Sequence, residues 1–359
     1  MMKKNELVNR IVYVVEDINV PQFRYRVKNI IDVFNNNDAW EVEYFCKSDL
    51  TKLELKNVRV LIILRQTAKD RIILKLIKKA KGLGVKVLFD LDDLVFDYRD
   101  LRLIAESVHE KNELYWLGYI WGVRRIAKKV DGFICTNKFL ADKLKRSFNK
   151  PVKVIRNSLN TEQIELSKKL IKEKCSKAGK SFVIGYFSGS STHVNDFKMI
   201  ELELVKFLNM HEDVKLEIVG YMKLSSRIKS LIGKGKVEVI KPVGYLELLR
   251  LVSNVDVNIV PLVINGFTNC KSELKYFEAG IVETTTIASP IYSFKKAIHD
   301  EENGFLAKSG GWFGKLEYLY KNPEINHKTA IEARKDALKN YYGNEFLKEV
   351  EEAYEYFTR

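Results

Sequence analysis

An α/β architecture of two successive domains, each with a parallel sheet, follows from three features of the sequence. Short apolar runs alternate with amphipathic helical stretches along nearly the whole chain. The alternation pauses at a charged, glycine-ended stretch, TEQIELSKKLIKEKCSKAGK (161–180), and then restarts. At 359 residues the chain is long for one core and comfortable for two. These features predict two Rossmann-like domains facing a cleft, with ligand at the carboxyl ends of the strands.

The first half is expected to place strands in RIVYVVED, WEVEYFCK, VRVLIILRQ, KVLFDLDD and GFICTN. Helices are expected in FRYRVKNIIDVFN, in DRIILKLIKKAKGLG and, as one long element, through ESVHEKNELYWLGYIWGVRRIAKKV. PVKVIRNSLN closes this half. In the second half the strand candidates are FVIGYFSG, VKLEIVG, VEVIKPV, DVNIVPL and TTTIASP. The helices between them are NDFKMIELELVKFLN, SSRIKSLIGKG, YLELLRLVSNV and KSELKYFEAG, with a charged helical tail from about Asn326.

With 46% hydrophobic and 30% charged residues the chain is globular rather than disordered. It has no run of 18 apolar residues, so no spanning helix is expected. The apolar run Ile11–Val15 stops at Glu16 and Asp17; it is too short for a signal sequence and reads as a first strand. Cysteines 46, 135, 175 and 270 make no CxxC pair and no metal-type spacing, which suits reduced cytosolic thiols. Residues 1–180 hold 38 Lys and Arg against 23 Asp and Glu, a net of +15, whereas 181–359 hold 23 against 24. That asymmetry points to a polyanion facing the first half, either nucleic acid or an acidic membrane surface.

Four stretches carry chemistry. GYFSGSSTH (185–193) ends a strand in small residues. Such a turn lets backbone N–H groups approach a phosphate, and His193 lies in this loop. It is neither a P-loop nor GxGxxG, and a plain strand-to-helix turn fits equally. KVLFDLDDLVFD puts Asp90, Asp92 and Asp93 at a strand end, with Asp97 behind. A phosphatase motif fits poorly, because Asp93 and Leu94 stand where Gly and Thr are needed. The pair Asp90 and Asp92 as oxygen ligands for Mg²⁺ or Mn²⁺, or carboxylates that cap the next helix, are further readings. We favour carboxylates that hydrogen-bond a polyhydroxylated acceptor. VPQFRYRVKN sets Arg24 and Arg26 at a helix start, either as a solvated face or toward an acidic acceptor. In TNCKSELKYFEAG (268–280), helical spacing puts Lys271, Lys275 and Glu278 on one face beside Leu274, Phe277 and Ile281. That charged face is either solvated or grips a ligand bearing phosphates and hydroxyls. His109 reads as structural.

Taken in order, VIGYFSGSSTHVNDFKMIELELVKFLNMHEDVKLEIVG, VEVIKPVGYLELLRLVSNVDVNIVPL, NCKSELKYFEAGIVETTTIASP and AIHDEENGFLAKSGGWFGKLEYL resemble the nucleotide-sugar domain of GT-B glycosyltransferases, specifically glycosyltransferase family 4 (group 1). The resemblance covers about 181–340. FRYRVKNIIDVF, FDLDDLVFD and DGFICTNKFLADKLK are more weakly similar to the family's acceptor domain. The implied organisation is an acceptor-binding domain at 1–165, a linker at 166–180, a nucleotide-sugar domain at 181–335 and a tail at 336–359 that crosses back.

The resemblance implies a sugar transfer from a nucleotide-sugar donor to a polysaccharide or lipid-linked glycan, retaining and metal-independent, with no cofactor. The family's Glu-x7-Glu motif places the ribose contact on Glu278, and Cys270 stands where the first Glu is expected. Glu283 and Thr285 replace the familiar Gly and Pro. Lys271 and Lys198 would face the departing diphosphate, and Ser188, Gly189, Ser190, His193, Val243 and Ser272 would complete the donor contacts. Asp92 joins Lys271 and Glu278 as a catalytic candidate. Arg24, Arg26, Asp93 and Asp97 are the acceptor candidates. The basic first half then suits an anionic membrane surface at the cytoplasmic face, and no nucleic-acid motif accompanies the charge. The missing first Glu also admits a catalytically silent nucleotide-sugar-binding or scaffold subunit.

Overall fold

The computed structural model describes residues 9–35, 39–68, 71–108, 111–176, 181–189, 194–220 and 222–359. The chain forms two units. One comprises Met1–Asn160, Cys270–Ser272 and Tyr342–Arg359; the other comprises Thr161–Asn269 and Glu273–Tyr341.

The first unit is built on strands β1 (Asn9–Val15), β2 (Trp40–Cys46), β3 (Val58–Leu64), β4 (Lys86–Leu91), β5 (Gly132–Cys135) and β6 (Val152–Val154). They form one parallel sheet in the order β2-β1-β3-β4-β5-β6. Ile11–Val15 and Val60–Leu64 are buried without a break, because central parallel strands are covered on both faces. The strand order reverses direction between β1 and β3, which makes a switch point at their carboxyl ends. Arg65 leaves β3 there, and Asp92 and Asp93 leave β4 beside it.

The long helix expected through 106–130 is instead two helices, Leu101–Ser107 and Glu113–Ala127. Val108 leaves helical geometry, and the Asn112 side chain accepts from the Tyr115 N–H at 2.9 Å, so a new helix starts with its own cap. The chain's last helix, Gly343–Thr358, belongs to this unit. Phe346, Val350, Tyr354 and Phe357 recur every three or four residues and join Ile11, Tyr13, Val60 and Ile62 in one core. The Tyr354 and Tyr13 hydroxyls meet at 2.7 Å. Phe357 lies over Gly132, where an added Cβ would come within 2.4 Å of the ring.

The second unit has β7 (Phe182–Ser188), β8 (Val214–Gly220), β9 (Val237–Ile240), β10 (Val257–Val260), β11 (Thr285–Ala288) and β12 (Phe305–Leu306). The parallel order is β12-β11-β10-β7-β8-β9, with its switch point between β7 and β10. Strand β12 is two residues long, too short to leave a periodic signal in the sequence. The stretch expected to link the domains is the helix Thr161–Ser176, and it lies within this unit. With its lysines counted here, the first unit holds 35 basic against 25 acidic residues and the second 26 against 22. The net charges are +10 and +4, so the basic excess is concentrated in the first unit but not confined to it.

Candidate active site

The second unit presents its candidate residues at the carboxyl ends of β7 and β10. Ser188 ends β7, buried, with its hydroxyl hydrogen-bonded to Tyr186. Burial raises the Tyr186 pKa above the usual phenol range, so this pair is neutral. Gly220, at φ 117°, passes so close to the Ser188 carbonyl that any Cβ would collide with it, which keeps β8 tight against this turn. Gly189 is exposed and has nothing within 4 Å of a notional Cβ, so its backbone is open to a ligand. Ser190 and His193 lie outside the described residues. The helix Val194–Lys198 follows; its Asp196 accepts from the Val263 N–H at 2.8 Å and ties the loop after β10 to this turn. Lys198 is exposed, and Val243 is exposed in the loop after β9.

The helix after β10 runs Leu274–Gly280. Lys271 and Ser272 precede it, so the expected stripe of Lys271, Lys275 and Glu278 does not exist as one helical face. The Asn265 side chain accepts from the N–H groups of Phe267 and Thr268, each at 2.9 Å, and folds this approach into a turn. The short helix is anchored on every side. Asn258 of β10 donates to the Lys275 carbonyl at 3.1 Å, and Tyr276 donates to Asp336 at 2.9 Å. Phe277 stacks on Tyr341 at 4.3 Å, and Gly280 leaves no room for a Cβ against the Ala333 carbonyl. Lys275 is more than solvated charge, since its ammonium sits 5.8 Å from the Tyr186 ring centre.

This scaffold holds the Glu278 side chain half-buried, with Oε1 accepting from Gln163 Nε2 at 3.1 Å. Gln163 is 1% exposed on the helix Thr161–Ser176. Sequence reasoning missed it, because the stretch around it reads as charged linker. Its one signal is an uncharged polar residue beside Ile164, on the face that turns inward. This hydrogen bond helps to fix the orientation of an acceptor carboxylate.

Lys271 and Ser272 belong to the first unit. Asn137 donates to the Lys271 carbonyl at 3.1 Å, and Asn157 donates to the Ser272 hydroxyl at 2.9 Å. Arg65 Nη1 lies 3.1 Å from Asp92 and 2.8 Å from Asp93, and the Lys271 ammonium lies 3.8 Å from Asp93. Burial pushes the Asp92 carboxyl up, against the pull of Arg65. Two cations and two carboxylates therefore converge at the ends of β3 and β4. Cys270 beside them is fully buried, and burial raises its thiol pKa, so it is neutral packing.

Two acceptor candidates are corrected. Arg26 is 1% exposed and does not face a ligand. Its guanidinium pairs with Asp90, Nε lying 3.1 Å from each oxygen, and Nη1 donates to the Ile155 carbonyl at 2.6 Å and to Asn157 at 3.2 Å. Asp97 is a buried cap that accepts from the Arg99 N–H at 3.0 Å, from its guanidinium and from Ser147 at 2.7 Å. Burial works to raise its pKa, but these hydrogen bonds outweigh it and hold the carboxyl below the usual range. Arg24 folds over the Tyr25 ring at 3.9 Å. Asp90 and Asp92 each face a guanidinium. Among the described residues, no cluster of three or more His, Cys, Asp and Glu is placed to hold a metal ion.

Two doubly wound parallel domains with these loops at their switch points have the GT-B glycosyltransferase fold. Residues 183–322 match the family described as glycosyl transferases group 1. HepE of Anabaena, solved in complex with UDP, superposes with a TM-score of 0.65 at 12% identity over 97% of this chain and 100% of that one. A glycosyltransferase of Rickettsia africae gives 0.62 at 14% identity over 98% and 99%. Sucrose-phosphate synthase of Thermosynechococcus elongatus gives 0.67 at 12% over 97% and 98%. At these identities the likeness is one of fold. No curated protein matches the sequence closely enough to count as a relative.

Proposed function

We propose that the chain transfers a sugar from a nucleotide-sugar donor to a polysaccharide or lipid-linked glycan, with retention and without a metal. The observation that carries the reading is Glu278. It sits on a rigid helix at the switch point of the second sheet, and Gln163 takes one of its oxygens. A carboxylate so held accepts hydrogen bonds from a ribose diol. HepE is seen with UDP and with UDP-glucose, and a TarM mutant is seen with UDP and alpha-GlcNAc-glycerol, which supports a donor of this class.

In this proposal the Gly189 N–H and Lys198 receive the diphosphate at the end of β7, and Lys271 supplies a second cation. Donor departure leaves an oxocarbenium-like sugar, and the main task of the protein is to stabilise the leaving diphosphate. The acceptor hydroxyl attacks from the side the leaving group vacates and passes its proton to the departing diphosphate, which retains configuration. Asp92 and Asp93, held by Arg65, would orient that hydroxyl. We place the reaction at the cytoplasmic face of an anionic membrane.

The test is nucleotide affinity in Glu278→Ala. We expect a loss of about tenfold or more, one charge-assisted hydrogen bond being worth about 1.5–3 kcal/mol. Unchanged nucleotide binding in a folded variant would sink the assignment.

A further inference from the structure

The helix Glu113–Ala127 turns Trp116, Ile120, Val123, Ile126 and Ala127 inward. Its outward face is not polar. Leu114 is 76% exposed, Leu117 42% and Trp121 54%, with Tyr115 beside them. No other helix among the described residues exposes more than two large apolar side chains. Among the described residues, the charges that border this stripe are nearly all cations. Lys111 lies 5.5 Å from the Tyr115 ring centre, Arg125 lies 4.6 Å from that of Trp121, and Lys128 follows on the same face. Glu113 is the one acidic residue of the helix.

We infer that this face is the surface by which the protein lies on an anionic lipid bilayer. The inference rests on the membrane placement proposed above and names the element that makes the contact. Leucine and tryptophan enter the boundary between headgroups and acyl chains, and lysine and arginine stems reach from there to lipid phosphates. Each basic residue near an anionic bilayer adds attraction that salt screens. No helix among the described residues is long and apolar enough to cross a membrane, so the contact is a surface one. A second copy on the same face would set one cation-bordered patch against another, which disfavours a symmetric dimer there.

The experiment is sedimentation of the full chain with vesicles of phosphatidylglycerol and phosphatidylcholine. Wild type should bind anionic vesicles at low salt and weaken as salt rises. The triple variant Leu114→Ser, Leu117→Ser, Trp121→Ser should lose about tenfold or more in partitioning, with unchanged melting temperature because the side chains are exposed. Lys111→Glu with Lys128→Glu should weaken binding to anionic vesicles in particular. Equal vesicle binding by the triple variant overturns the inference, as does wild type that binds no vesicles, or a loss of dimers in the triple variant without a vesicle effect. Donor hydrolysis in solution, measured on the same preparations, reports separately on the glycosyltransferase reading.

Discussion

Arg26→Met should be among the costliest single changes in the first unit. The guanidinium neutralises Asp90 and satisfies the Ile155 carbonyl and Asn157 in a site that water does not reach. Removing one partner of a buried ion pair costs about 3–5 kcal/mol, because the other charge is left uncompensated. With about 2–4 °C per kcal/mol for a domain of this size, the first unit should melt about 6–20 °C lower. The cost should also depend on pH. Burial pushes the Asp90 carboxyl up to about 6 from an ordinary 3.8, with Arg26 opposing. A folded pKa above the unfolded one contributes stability below about pH 4 that is lost as pH rises through about 6. Without Arg26 the folded pKa rises further, so the loss continues through neutrality. Thermal unfolding of both proteins from pH 5 to 8 should therefore show a gap that widens between pH 6 and 8. Adding Asp90→Leu should bring the protein back toward wild type. A gap below about 1 kcal/mol, or one independent of pH, would refute the buried-pair reasoning.

Gln163→Leu removes one hydrogen bond to Glu278 and should weaken nucleotide binding about five- to tenfold in calorimetry, from one hydrogen bond worth roughly 1 kcal/mol or slightly more; unchanged affinity contradicts a positioning role. Asp97→Ala should cost about 1–2 kcal/mol in urea denaturation at pH 7. Because the folded carboxyl is depressed, that stabilisation is lost as pH falls below about 4, so wild type and variant should converge in acid. Glu283 holds a left-handed φ of 53° in the turn after the Leu274–Gly280 helix. Glu283→Gly should therefore be more stable than Glu283→Ala by about 1 kcal/mol, and the reverse order of melting temperatures would count against it.

The strands were legible because parallel strands buried on both faces are continuous apolar runs, as in Ile11–Val15 and Val60–Leu64. The helix restart at Asn112 was not, since apolar periodicity carries through the stretch while a single asparagine cap decides the restart. Helical spacing likewise extended the 274–280 helix back to Lys271, whereas the helix starts at Leu274, after a turn in which the Phe267 and Thr268 N–H groups donate to the Asn265 side chain. Arg26 and Asp97 show a deeper limit. A charged residue near a strand end looks the same in sequence whether it meets a ligand or a buried partner 64 positions away. Gln163 was hidden by its neighbours' charge. Glu278 stood out only through its place in an ordered series of motifs, and Gln163 is what the structure adds to it.

The claim that this chain is a glycosyltransferase is tested most directly by release of nucleoside diphosphate from a panel of nucleotide sugars, with EDTA present. The account predicts release from at least one donor by wild type and, below saturation, release slower by about tenfold or more from that donor by Glu278→Ala. Nucleotide binding without release from any donor, in the presence or absence of a divalent metal, would contradict it and leave a silent binding subunit.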